Sequence, residues 1–121
     1  MRRRVSKPKL PKLTEADVTR QVCDLMNAKG YRCMRLQSGM FAVGNRLVRV
    51  GERGLPDWLF LRPPGVQLGW TSTIFVEIKA PGREPDAKQR AWHADAARAR
   101  LLSTWTDDID DFRRWLEERG L

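Results

Sequence analysis

The stretch TSTIFVEIKA, residues 71–80, constrains the fold more than any other part of the chain. It is rich in β-branched residues and is stopped by the Pro-Gly pair at 81–82, so it reads as a strand. Side chains on a strand alternate between faces. Ile74, Val76 and Ile78 therefore share one face, and Phe75, Glu77 and Lys79 share the other. The first face is core. The second sets an acid and a base two residues apart in an otherwise apolar run, and that placement asks for a chemical reason.

The neighbouring segments supply a sheet for this strand to join. Thr14 precedes EADVTRQVCDLMNAKG, which reads as a capped helix ending at Gly30, with Val18, Val22, Leu25 and Met26 on its apolar face. Glu15 falls on the same inward-leaning stripe. Residues 31–39 read as a strand that turns at Ser38-Gly39, and residues 41–54 as a hairpin with Gly44-Asn45 near its turn. DWLFL, residues 57–61, is a further strand, entered through Pro56. A Pro-Pro-Gly loop spans 62–72. Residues 86–99 are helical by composition, with Ala87, Ala91 and Ala94 on one face. RLLS, residues 100–103, allows a short strand that Ser103 and Thr104 end early. A last helix over 107–120 begins acidic and ends near Arg119, as the helix dipole prefers, and packs through Ile109, Phe112 and Leu116. The expected class is α/β: a mixed sheet flanked by helices, in the approximate order αββββαβα.

Length and charge narrow the function. A chain of 121 residues makes one domain, here residues 13–121 behind a basic arm over 1–12. No run approaches the roughly 18 apolar residues of a membrane span, so no membrane association is expected. No apolar stretch follows the basic N-terminus, so a secretory signal is not expected either, and the cytoplasm is the expected compartment. His93 is the only histidine and Cys23 and Cys33 the only cysteines, which excludes the usual zinc-ligand patterns and a disulfide framework. The net charge is +8, and Arg2, Arg3, Arg4, Lys7, Lys9 and Lys12 crowd the arm. Such a chain is drawn to polyanions, nucleic acid foremost. Arg35, Arg46, Arg53 and Arg83 extend the basic surface around the strands, and Ser38 beside Gly39 lets a backbone approach closely. These are the expected nucleic-acid contacts.

Asp57 and Glu77 open and close neighbouring strands. Two such carboxylates can share a hard divalent cation, Mg²⁺ or Mn²⁺, with the carbonyl of Ile78 as a further oxygen ligand. The chemistry this permits is phosphodiester hydrolysis, with Lys79 orienting the nucleophile or stabilising developing charge. The plain alternative is an ion pair of Glu77 with Lys79 or Arg46.

Pro56-Asp57 followed by Glu77-Ile78-Lys79 resembles the PD-(D/E)XK nuclease signature. The wider pattern, TEADVTRQVCDLMNAKGYRCMRLQSG, GLPDWLF and VEIKAPGREPDAKQRAW, resembles the virus-type replication–repair nuclease (VRR-NUC) domain over residues 13–103. The resemblance implies a restriction-endonuclease-like fold of the stand-alone phage or bacterial type. It implies a catalytic set of Glu15, Asp57, Glu77, Lys79 and Gln89 around Mg²⁺ or Mn²⁺, with Glu15 reaching the metal through water and no other small-molecule cofactor. It further implies a homodimer acting on branched DNA in repair or recombination, such as a four-way (Holliday) junction resolvase. Nicking or flap cleavage in the same fold is the nearest rival, and a catalytically silent nucleic-acid-binding module the rival from another class.

Overall fold

The computed structural model describes residues 12–36, 39–62 and 73–121. Helix α1 (Glu15–Ala28) begins where the sequence places it: Thr14 Oγ1 accepts from the Asp17 amide at 3.2 Å, and the Asp17 carboxylate accepts from the Thr14 amide at 2.8 Å. This reciprocal capping box satisfies two of the donors that a helix start leaves open. Strand β1 (Arg32–Arg35) follows, then the hairpin β2 (Gly39–Val43) and β3 (Arg46–Val50), then β4 (Trp58–Leu61) and β5 (Thr73–Ile78). Helix α2 (Ala87–Arg98), strand β6 (Leu102–Thr106) and helix α3 (Ile109–Glu118) complete the order. Among the described residues five strands, not four, therefore precede α2, because residues 39–50 form a hairpin that makes a two-stranded sheet of its own. Its turn is Gly44-Asn45, with Gly44 at a φ of 60° that a two-residue hairpin turn favours.

The main sheet has the order β1-β4-β5-β6. The first two pairings are antiparallel and the last is parallel, with α2 carrying the chain from β5 to β6. The alternation expected along β5 decides what each face meets. Ile74, Val76 and Ile78 join Phe60 against Val18, Val22 and Met26 of α1 and Phe112 and Leu116 of α3, and these residues are the core. The opposite face of β5 lies under α2, where Phe75 packs against Trp92 with ring centroids 5.2 Å apart.

Three expectations are corrected here. The buried face of α2 is not its alanine row: Ala91 and Ala94 are exposed, and the helix turns Gln89, Trp92, His93 and Ala96 towards the sheet. Alanines are too small to dictate which way a helix faces when aromatic side chains compete for the same burial. The last strand does not stop at Ser103 and Thr104. It runs on to Thr106 because parallel pairing with β5 holds it, and Ser103 finds a partner in His93, Nδ1 to Oγ at 2.9 Å. Glu15, finally, is exposed rather than turned into the core. As a first-turn residue its side chain leans back beyond the end of the sheet that Val18 packs on.

Candidate active site

Backbone pairing holds the two strand ends that carry the site. The Leu36 amide donates to the Asp57 carbonyl at 2.7 Å, which extends the β1–β4 ladder one residue before β4. The Lys79 amide donates to the Thr106 carbonyl at 2.9 Å, which extends the β5–β6 ladder one residue past β5. Pro56, fully buried, fixes the approach to Asp57. Asp57 then reaches across to β5, its Oδ2 accepting from the Ile78 amide at 3.3 Å. The carboxyls of Asp57 and Glu77 thus meet at one end of the sheet.

Glu77 is only 2% exposed, an uncommon state for a carboxylate. Its Oε1 accepts from Gln89 Nε2 at 2.8 Å and faces Lys79 Nζ at 3.4 Å. Its Oε2 is buried with no hydrogen-bond partner among the described residues. Burial is the main reason its pKa is pushed up to about 8, and the neighbouring Asp57 charge adds to it; Lys79 pulls the other way without cancelling them. The apoprotein therefore keeps a proton on Glu77 well into neutral pH.

Gln89 is placed by a device readable in the sequence and missed there. Asp86-Ala87-Lys88-Gln89 is a capping box: Asp86 Oδ1 accepts from the Gln89 amide at 2.8 Å, and Gln89 Oε1 accepts from the Asp86 amide at 2.9 Å. With its carbonyl oxygen engaged in the cap, Gln89 can only offer its NH₂ to Glu77. A second missed residue is Gly54, with a φ of +82°, whose backbone lies so close to the first turn of α2 that a Cβ would sit 2.4 Å from the Lys88 carbonyl oxygen. Gly54 thereby brings the loop before Asp57 against the helix that carries Gln89. Gly54→Ala is expected to cost about 1–3 kcal/mol of stability from the positive φ and the clash. Thermal denaturation measures that loss, and an unchanged midpoint would show that the two segments can part freely.

Glu15 stands at the mouth. It lines one cavity of about 240 Å³ with Arg35, Asp57 and Trp58, and a second of about 370 Å³ with Lys79, Arg83 and Glu84. The structure so brings Glu15, Asp57, Glu77, Lys79 and Gln89 to one region, with Arg35 and Arg83 flanking it. Arg46 and Arg53 line neither cavity, Arg46 being at the tip of the hairpin, and Lys12 is exposed just before the Thr14 cap. Arg2, Arg3, Arg4, Lys7, Lys9, Ser38 and residues 63–72 of the Pro-Pro-Gly loop lie outside the described residues. Glu77 pairs with Lys79 and not with Arg46.

Among the described residues no three His, Cys, Asp or Glu side chains gather as a metal cage. A divalent cation such as Mg²⁺ takes oxygen ligands and keeps several of its waters. The orphaned Glu77 Oε2 beside Asp57 is an acidic oxygen pair of the kind such an ion binds. Fold and site together define an α/β protein with a mixed sheet and, at one sheet end, a carboxylate pair of which Glu77 is buried and Asp57 half-buried. No family model matches the chain, and no curated protein matches it. No helix among the described residues is long and apolar enough to cross a membrane.

Proposed function

We propose that this chain is a divalent-metal-dependent DNA endonuclease with the restriction-endonuclease-like fold of the PD-(D/E)XK nucleases, akin to the VRR-NUC domains its sequence resembles. The observation that carries this reading is Glu77: a carboxylate buried in a sheet with one oxygen engaged and the other orphaned. A structural ion pair would use both oxygens or stay near water. Asp57 and Glu77 would hold the Mg²⁺ or Mn²⁺, with the Ile78 carbonyl as a further ligand and Glu15 acting through water. When bound, the ion supplies Lewis-acid polarisation of the phosphate and a more acidic water.

The chain's own residues do the remainder. Gln89 fixes the rotamer of Glu77, so the free oxygen is presented without reorganisation. Lys79, 19% exposed at its side chain and held beside Glu77, places a positive charge where the phosphate gains negative charge. Arg35 and Arg83 flank the mouth and bind backbone phosphates, which sets affinity without reading sequence. The substrate is DNA, and selectivity is for branched structure, with a homodimer presenting two sites about a two-fold axis to a four-way junction.

The test is a cleavage assay in Mg²⁺ and Mn²⁺ on duplex, single strand, 5′ flap, nicked duplex and four-way junction, with Glu77→Gln as control. Paired symmetric cuts in the junction are expected. Preference for a nick or flap would keep the nuclease and replace the resolvase. Absence of any cleavage that depends on Glu77, with metal binding shown by calorimetry, would leave a nucleic-acid-binding module and remove the enzyme.

A further inference from the structure

The far end of the sheet carries a second concave site. Among the described residues β6 pairs with β5 alone, so it is the sheet's edge strand. An edge strand presents unpaired backbone donors and acceptors, which proteins cover, interrupt or use. Helix α2 covers one face of β6 and α3 the other. A cleft of about 760 Å³ opens between the end of α2, the first residues of β6 and the last turns of α3. Leu101, Leu102 and Trp115 form its walls, and Leu101 is 47% exposed. Glu77 pairs with Trp105 and Ile74 with Leu102, so the cleft lies at the opposite end of the strands from the carboxylates.

Two arginines rim it, and both are held. Arg119 lies over the Trp115 ring, its guanidinium carbon 4.2 Å from the centroid, and donates to the Trp115 carbonyl at 3.0 Å. Arg100 closes α2 in the left-handed region, φ 60°, with its amide on Ala97 and the Leu101 amide on the Ala96 carbonyl. Glycine is the residue that usually ends a helix in this way, because it alone takes that backbone without strain. Every other positive φ among the described residues belongs to glycine. Here a cationic side chain is kept at the strained position, at the rim of an apolar cleft.

We propose that this cleft docks an acidic partner protein. An extended segment of the partner adds as a strand to the β6 edge, sets one bulky apolar side chain between Leu101, Leu102 and Trp115, and lays carboxylates on Arg100 and Arg119. The chemistry follows from the parts: a strand edge takes backbone, an apolar pocket between alternate positions takes a side chain, and the rim charges select an acid. Nucleic acid could also meet the two guanidinium groups, but a phosphate backbone supplies no apolar side chain for the pocket between Leu101, Leu102 and Trp115. A second copy, itself of net charge +8, is the less complementary occupant for a rim of two arginines. The site lies beyond the nuclease reading and does not depend on it.

The test uses the full chain and a fluorescein-labelled peptide of about nine residues alternating aspartate with phenylalanine and leucine. A peptide of equal length and charge alternating aspartate with serine is the control. At physiological ionic strength the first is expected to bind at least about tenfold more tightly by anisotropy, and to slow amide exchange over residues 101–104. Leu101→Glu is expected to weaken it about tenfold and Arg100→Gly about fivefold, with Arg100→Gly raising thermal stability, which separates lost docking from lost folding. Equal binding of the two peptides, unchanged affinity in both variants, or protection mapped to the carboxylate end of the sheet would overturn the proposal. So would a doubling of mass in sedimentation that Leu101→Glu abolishes, which makes the occupant a second copy. Displacement of the peptide by a short single-stranded oligonucleotide whose own binding Leu101→Glu abolishes would likewise assign the cleft to nucleic acid.

Discussion

Lys79→Ala is expected to lower cleavage by at least about a hundredfold while leaving metal affinity within a few-fold of the native chain. Asp57→Ala is expected to lose both. The difference follows from where each side chain stands. Asp57 is one of the two acidic groups that would hold an ion, and its removal takes from the Glu77 oxygen its acidic neighbour just before β4. Lys79 offers no ligand atom while it is charged; its ammonium faces Glu77 Oε1, the oxygen already engaged by Gln89. Removing it deletes charge stabilisation and, by relieving Glu77 of a cation, does not weaken a competing ion. Lys79→Arg is the informative companion, because a planar guanidinium restores charge without restoring its position and is expected to recover little of the rate. Calorimetric titration with Mn²⁺ and single-turnover cleavage on the same preparations separate the two effects. Loss of metal binding in Lys79→Ala equal to that in Asp57→Ala would mean the lysine holds the site together, and native-rate cleavage by either variant would refute the assignment.

What could be read from the sequence divides along the range of the forces involved. The two faces of β5 were legible because strand alternation is local: Ile74, Val76 and Ile78 had to turn one way and Glu77 the other. The α1 cap at Thr14 was legible for the same reason. The orientation of α2 was not, since its alanine spacing is a weak signal and the choice was made by Trp92 packing on Phe75 and His93 meeting Ser103, contacts that form only once β5 and β6 are paired. The length of β6 failed on propensity alone: Ser103 and Thr104 look like an ending, yet the ladder to β5 carries them. Gly54 shows a third kind of limit. Its positive φ has a local signature, but the demand for no side chain comes from Lys88, thirty-four positions away along the chain, and no pattern within GLPD announces it. The candidate site was legible at Asp57, Glu77 and Lys79 because a charged group in an apolar strand is conspicuous. That Glu77 would keep one oxygen orphaned depended on Gln89 being turned by its own capping box, a combination of two local motifs brought together by the fold.

The second large effect is a coupling of stability, pH and metal through Glu77. Its ordinary pKa of 4.5 rises to about 8 in the folded chain, burial first and the Asp57 charge second. The charged and polar groups that face it are Asp57, Lys79 and Gln89. Below pH 4.5 the group is protonated folded and unfolded, and the folded state suffers nothing from it. As pH rises from there towards 8, the unfolded chain gives up the proton and the folded chain keeps it. The folded state then binds more protons, so stability falls by as much as about 1.4 kcal/mol for each pH unit, and the loss is complete only above the folded pKa. Metal-free protein is therefore expected to be less stable at pH 8 than at pH 6. Mg²⁺ competes with that proton, so its affinity is expected to rise by up to about tenfold per pH unit across the same window, with proton release on binding. Glu77→Gln keeps the shape and removes the titration. It is expected to be more stable than the native chain at pH 8 without metal, and to gain nothing from Mg²⁺ at any pH. Urea denaturation of both proteins at pH 5.5, 7 and 8.5, with and without Mg²⁺, reads every part of this. Parallel pH profiles for the two chains would place the titration elsewhere, and a Mg²⁺ stabilisation that persists in Glu77→Gln would place the ion elsewhere. A buried acid that weakens the apoprotein is costly to keep for structure alone, and that cost is the thermodynamic argument for a cation as its natural partner.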